Sequence, residues 1–229
     1  MPIAILGNEI GFPDPSQADS EGLLAIGGDL SPERLLAAYR AGVFPWYSEG
    51  QPILWFSPDP RMLLYPNRFK CSKSLERVLN SGRYTVRIDT NFERVISACA
   101  HTPRPGQEGT WITDDMIQAY IQLNRLGIAH SFECYRDGEL VGGLYGLSLG
   151  AAFFGESMYH HSPDASKVAF AGLVTFAKRN SFHFIDAQTP TDHLRRLGAE
   201  SIARQDFLSQ LDKALESDSL IGDWSTYAS

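Results

Sequence analysis

Residues 129–158 read AHSFECYRDGELVGGLYGLSLGAAFFGESM, and this run decides the fold. Three apolar segments, 129–135, 140–145 and 151–158, have strand length and composition, and Asp137-Gly138 between the first two is a pair that tolerates the left-handed backbone of a tight hairpin. The sheet is therefore at least partly antiparallel. Two further strands are predicted at 84–88 and 182–186. Around them lie well-punctuated helices. Ser31 caps a helix over 32–41, with Pro32 in its first turn, Glu33 facing the helix dipole and Gly42 ending it. A helix starts near Ser72; another follows Thr90, where Thr90 and Glu93 have capping-box spacing ahead of Val95, Ile96 and Cys99. Thr113 caps and Gly127 closes a helix over 114–126. Long helices at 163–179 and 205–215 and a short one at 192–197 complete the set. Helices covering a partly antiparallel sheet make the fold class α+β.

The segment before the sheet, GVFPWYSEGQPILWFSPDPRMLLY at 42–65, holds six aromatics (Phe44, Trp46, Tyr47, Trp55, Phe56, Tyr65) and four prolines in 24 residues. Proline fixes φ and removes a donor, so the segment reads as a rigid aromatic loop and not as helix or central strand. Rings held on stiff backbone can stack on a base or ligand ring, but rings also fill cores, and residue type alone favours packing. A boundary near Pro58 to Pro60 divides the chain into a small N-terminal unit, 1–59, and a larger domain, 60–229.

At 229 residues and 43% apolar composition the chain can bury a full core. Its start lacks the basic and cleavage features of an export signal, and the apolar run over 142–155 is Gly-rich and too short to span a bilayer, so a cytoplasmic protein without membrane contact is expected. Cys71, Cys99 and Cys134 are odd in number and far apart, which argues against disulfides and a thiolate zinc site; all three read as reduced core or near-core residues. His160 and His161 lack a third ligand at metal spacing and read as an exposed turn; no metal site is expected.

The net charge of −7 is unevenly spread. From 61 to 104, nine basic residues face Glu76, Asp89 and Glu93, a local balance of +6 that leaves −13 for the remainder. One basic sector on an acidic protein suits a polyanion that touches only that sector, or is simply a solvated face. Lys70, Lys73 and Arg77, spaced by three and four, fall on one side of the helix that starts near Ser72.

Two strand motifs carry chemistry. In FIDAQ at 184–188, alternation puts Asp186 and Gln188 on one face where an apolar strand runs out before Pro190. In FFGESM at 153–158, Phe154, Glu156 and Met158 share a face, so a carboxylate sits beside apolar groups and needs a partner or a task. A structural ion pair at a strand end satisfies either motif equally well. Gly155-Glu156-Ser157 is not a nucleophile elbow, because Tyr159 stands where the second glycine belongs.

The ordered set GLLAIGGDLSPERLLAAYRAGVFPWY, ILWFSPDPR, GTWIT, ELVGGLYG, FFGESM, ASK and DAQ, which spans most of the chain, resembles the leucyl/phenylalanyl-tRNA-protein transferases. The resemblance implies a GNAT-like acyltransferase fold in the larger domain. It also implies transfer of Leu or Phe, with Met a third candidate, from aminoacyl-tRNA to the α-amino group of proteins with N-terminal Arg or Lys, feeding the bacterial N-degron pathway. Its partners would be the acceptor stem and 3′ end of the tRNA and those acceptor proteins, with a monomer expected and neither ATP, metal nor other cofactor needed. By the same resemblance Trp46, Trp111 and Tyr39 surround the terminal adenosine. An aminoacyl pocket takes in Phe153, Met158, Leu144, Phe170 and Leu173, and Arg61, Lys70, Lys73 and Arg77 grip tRNA phosphates. The catalytic set is Asp186, Gln188 and Glu156: Gln188 accepts a hydrogen bond from the incoming amine, Asp186 orients the amide or the amine and stabilises developing positive charge, and Glu156 pairs with the acceptor's basic side chain or holds its ammonium end. An acetyl-CoA-dependent acetyltransferase would share the fold, yet no convincing pyrophosphate loop is present; a non-catalytic RNA-binding module leaves Glu156, Asp186 and Gln188 without purpose.

Overall fold

A computed structural model describes residues 3–103 and 110–227; Arg104 of the basic sector and Gly109 of the GTWIT motif lie outside them. The chain begins with strands β1 (Ala4–Leu6) and β2 (Leu23–Gly27), helix α1 (Pro32–Arg40), and strands β3 (Phe44–Pro45) and β4 (Leu54–Phe56). These strands form a four-stranded sheet in the order β1-β2-β4-β3. There follow β5 (Arg61–Leu64), α2 (Lys73–Leu79), β6 (Thr85–Ile88), α3 (Phe92–His101), α4 (Asp114–Arg125), β7 (Ala129–Arg136), β8 (Glu139–Leu149) and β9 (Ala152–His160). The chain closes with α5 (Ala165–Arg179), β10 (Phe184–Asp186), α6 (Asp192–Arg196), β11 (Glu200–Ile202) and α7 (Arg204–Leu215). The second sheet has seven strands in the order β11-β5-β10-β9-β8-β7-β6. Only β9 and β10 run parallel within it, joined through α5.

Local chemistry sets most of these elements. Asp137 and Gly138 both take positive φ, 53° and 83°, and turn β7 into β8. Ser31, Ser72 and Thr113 each accept a backbone N–H at the start of α1, α2 and α4. The apolar faces then bury on both sides of the larger sheet. Leu35 and Tyr39 of α1, Val95 and Cys99 of α3, Met116 and Tyr120 of α4 and Phe207 of α7 belong to one cluster. Val168, Phe170, Leu173 and Phe176 of α5, with Leu75 and Trp224, form the other.

Three expectations need correction. The aromatic loop does contain interior strands: β4 lies between β2 and β3, and β5 between β11 and β10. Pro52, Pro58 and Pro60 fall between the strands, and Pro45 sits in an edge strand, so no ladder donor is lost in the interior. The Thr90–Glu93 capping box does not form. Thr90 instead donates to Glu133, a wholly buried carboxylate on β7 that also takes the Asn91 N–H (2.7 Å) and the Ser131 hydroxyl (2.8 Å), so Glu133 caps α3 across the sheet. Cys71 is exposed; Cys99 and Cys134 are buried, and all three are free thiols.

Glu133→Ala strands buried donors and should lower the unfolding free energy by about 3 kcal/mol in urea titration. Glu93→Ala, which removes only an exposed pair with Arg125, should change it by less than about 0.5 kcal/mol. The reverse order would restore the local cap.

Candidate active site

β10 ends at Asp186, paired with Phe154, while β9 continues over 155–160 with only β8 beside it. The sheet therefore opens beyond Asp186, and a cavity of about 410 Å³ occupies the notch. That volume lies in the range of small-ligand sites. Phe44, Trp46 and Trp111 bound it toward the small sheet; Leu144, Met158, Phe170 and Leu173 make an apolar wall; Glu156, Asp186 and Gln188 lie along it, and Thr191, His193 and Leu194 form the far side.

Arg61 underlies this floor. It is wholly buried, and its Nε and Nη2 donate to both oxygens of Asp186 at 2.7–3.1 Å while Nη1 donates to the Gly42 carbonyl at 3.0 Å. The Phe44 and Phe207 rings cover its two sides at 4.9 and 4.4 Å. Asp186 in turn receives the backbone N–H of Gln188 at 2.8 Å. Gln188 has φ 62°, a left-handed conformation that costs a non-glycine residue about 1 to 3 kcal/mol. The ion-paired carboxylate and a 3.0 Å bond from the Met62 N–H to the Gln188 carbonyl hold it there.

The Gln188 side chain is fixed as firmly. Its Nε2 donates to Glu156 at 2.8 Å, and the residue lines the cavity. Glu156 also accepts from Tyr39 (2.7 Å) and Tyr120 (3.1 Å), whose hydroxyl oxygens lie side by side. Burial pushes the Glu156 carboxyl up to about 7, against the downward pull of the two tyrosine hydrogen bonds; the Asp186 charge adds to the rise. Burial and then the Glu156 charge push both phenols well above their usual value, so they stay neutral donors.

Nine of the residues singled out from the sequence thus border one cavity: Trp46, Trp111, Leu144, Glu156, Met158, Phe170, Leu173, Asp186 and Gln188. Others fall elsewhere. Tyr39 has no exposed surface, does not line the cavity and donates to Glu156. Phe153 is wholly buried between Phe132 and Trp224 and does not line the cavity. Arg61 is sealed against Asp186 and has no surface to offer a phosphate. Glu156 is only 7% exposed and already holds three donors, one of them the Gln188 amide. Phe154 and Met158 do not share a face, because Glu156 is an extra residue opposite the Tyr145–Gly146 step; past this bulge Tyr159 joins the Phe154 cluster and Met158 the other. Lys70, Lys73 and Arg77 are exposed. Most rings of the aromatic loop do fill the core, Trp55 entirely, whereas Trp46 is 41% exposed. Tyr120 was missed, although a tyrosine among Met116, Ala119 and Leu123 on a buried helix face must find a hydroxyl partner.

A family model described as leucyl/phenylalanyl-tRNA protein transferase matches residues 63–212, and a model of that family's N-terminal domain matches residues 28–59. The chain belongs to the leucyl/phenylalanyl-tRNA protein transferase family. A leucyl/phenylalanyl-tRNA–protein transferase of Anaeromyxobacter sp. strain Fw109-5 is 55% identical over 224 residues, covering 98% of this chain and 95% of the relative. The Myxococcus xanthus transferase is 54% identical over 226 residues, covering 98% and 97%. Among solved structures, a GCN5-related N-acetyltransferase from Kribbella flavida is 11% identical with a TM-score of 0.38, covering 75% of this chain and 61% of its own. An L-PGS structure from Bacillus licheniformis is 11% identical with a TM-score of 0.39, covering 74% and 54%. The chain is thus an aminoacyltransferase, and among its described residues no helix is long and apolar enough to cross a membrane.

A carboxyl raised above its ordinary value gains its charge only as pH climbs through about 7, so transfer that needs Glu156 ionised should rise through that range. The attacking α-amine ionises at about 7.7 to 8.0 and gives a second ascending limb. In Glu156→Gln the lower limb should vanish and the upper one persist; a lower limb that survives the substitution contradicts the assignment.

Proposed function

We infer that the enzyme transfers Leu or Phe from the 3′ end of an aminoacyl-tRNA to the α-amino group of a protein with N-terminal Arg or Lys, in the N-degron route to degradation. The observation that carries this reading is Gln188, its backbone held by the Arg61–Asp186 pair and its side-chain amide by Glu156, lining a cavity that also takes in the exposed indole of Trp46 and the apolar groups Leu144, Met158, Phe170 and Leu173. The small unit, 1–59, supplies Trp46, and the domain of 60–229 supplies the remaining groups. Trp46 and Trp111 flank the terminal adenosine. Leu144, Met158, Phe170 and Leu173 receive the aminoacyl side chain, a flexible methionine among branched and ring groups suiting guests of two shapes. Lys73 and Arg77 on α2 hold the acceptor stem by its phosphates, without reading sequence. Glu49 and Asp115, both exposed and both near Tyr47, suit a basic acceptor terminus.

The chemistry is aminolysis of an ester. The amine lone pair attacks the carbonyl carbon, the new C–N bond forms, and the C–O bond to the terminal ribose breaks; the proton lost by nitrogen ends on the departing ribose hydroxyl. The ester is already energised, so the step needs neither ATP nor metal. Gln188 Oε1 accepts one N–H of the amine and aims its lone pair. The Glu156 charge, one hydrogen bond behind the amide, polarises it and stabilises positive charge as it develops on nitrogen. Asp186, neutralised by Arg61, positions Gln188 and takes no proton. Alignment of amine and ester can supply on the order of 7 to 11 kcal/mol.

Incubation with labelled Leu-tRNA or Phe-tRNA and a protein bearing N-terminal Arg should place label in the protein. No label with Arg, Lys or any other terminus would sink the reading. Trp46→Ala should weaken 3′-phenylalanyl-adenosine binding by about 5- to 150-fold, the equivalent of about 1 to 3 kcal/mol of base stacking. Unchanged affinity would leave this ring without a ligand role.

A further inference from the structure

We propose that α6 and the segment entering α2 form one strip, the cations Lys70 and Arg196 leading to His193 at the cavity rim, that carries the phosphodiester backbone of the single-stranded tRNA 3′ end between the α2 surface and the cavity. This rests on the aminoacyl-tRNA reading above. The strip joins residues far apart in sequence. The Lys70 N–H donates to the Leu197 carbonyl at 2.8 Å, and Gly198, φ 102°, packs so closely that a Cβ there would stand 3.2 Å from the Lys70 nitrogen. The end of α6 is thereby stitched to the approach of α2, while Thr191, His193 and Leu194 border the cavity. One short helix spans the distance from the α2 approach to the site.

The charges along it are unbalanced. Arg68, Lys167 and Arg195 have carboxylate partners in Glu200, Asp164 and Asp192. Lys70, Lys73, Arg77 and Arg196 are exposed and make no ion pair among the described residues. Burial first, then the charges of Lys167, Arg196 and His160, hold the His193 imidazole below its ordinary value. Like charges gathered without counterions repel one another in the free protein, and a polyanion relieves that repulsion. In a chain of net charge −7 such a strip does not follow from composition. A phosphodiester chain fits it better than a single anion, because the unpaired cations are spread over two elements, the approach to α2 and the end of α6.

The test is the salt dependence of binding of deacylated tRNA to the full chain. Each phosphate neutralised on a single strand contributes about 0.7 to the slope of log affinity against log salt. Lys70→Gln/Arg196→Gln should reduce that slope by about 1.4 and weaken binding at low salt, while affinity for 3′-phenylalanyl-adenosine, which has no phosphate, stays within about 2-fold. An unchanged slope, with Lys73→Gln/Arg77→Gln still reducing it, would send the 3′ end by another path and overturn the proposal. Equal loss of fragment affinity would overturn it too, because the pair would then act on the cavity. A wild-type chain that binds neither tRNA nor fragment would refute the underlying reading, an outcome distinct from a change confined to the variant.

Discussion

The buried pair between Arg61 and Asp186 is the constraint on which the site depends. Taking both charges out of water is costly, and the cost is met only because every polar atom involved is engaged: both carboxylate oxygens on the guanidinium, one also on the Gln188 N–H, and the remaining guanidinium nitrogen on the Gly42 carbonyl. The pair therefore ties three pieces together. The turn after α1 arrives through Gly42 and Phe44, the larger sheet through β5 and β10, and α7 through Phe207. What it produces is a glutamine in a backbone conformation that glutamine does not choose alone.

That arrangement also divides the work between the two carboxylates. Asp186 is ion-paired with the Arg61 guanidinium. Glu156 has only neutral donors, two phenols and an amide, and burial pushes its carboxyl up to about 7 against the pull of those hydrogen bonds. The two environments separate a carboxylate held in a buried ion pair from one held by neutral donors. The notch exists because β10 stops at Asp186 while β9 runs on, and the bulge at Glu156 turns that carboxylate toward the tyrosines while Met158 joins the opposite wall.

Much of the fold was legible because its signals are local. The Asp137-Gly138 hairpin and the caps at Ser31, Ser72 and Thr113 act within a few residues and stand where expected. The motifs FFGESM and DAQ marked the site because an acid in an apolar strand is costly without a partner. What was missed is long-range. Arg61 read as a surface cation since its partner lies 125 residues away, and Glu133 took the cap of α3 from a different strand. Strand β5 was hidden by flanking prolines, though the prolines themselves lie outside it. The Glu156 bulge has no local signature, so strict alternation put Met158 with Phe154 and, by the resemblance, Phe153 in the pocket.

The most direct measurement replaces the ion pair without leaving a charge stranded. In Arg61→Met/Asp186→Leu the core stays neutral and filled, so the fold should persist, while Gln188 loses its backbone anchor. The single-turnover rate of transfer from 3′-phenylalanyl-adenosine should fall by about 100-fold, as expected for a misplaced catalytic group, with fragment affinity held within about 3-fold. A folded double variant that transfers within a few-fold of the wild-type rate would contradict the account.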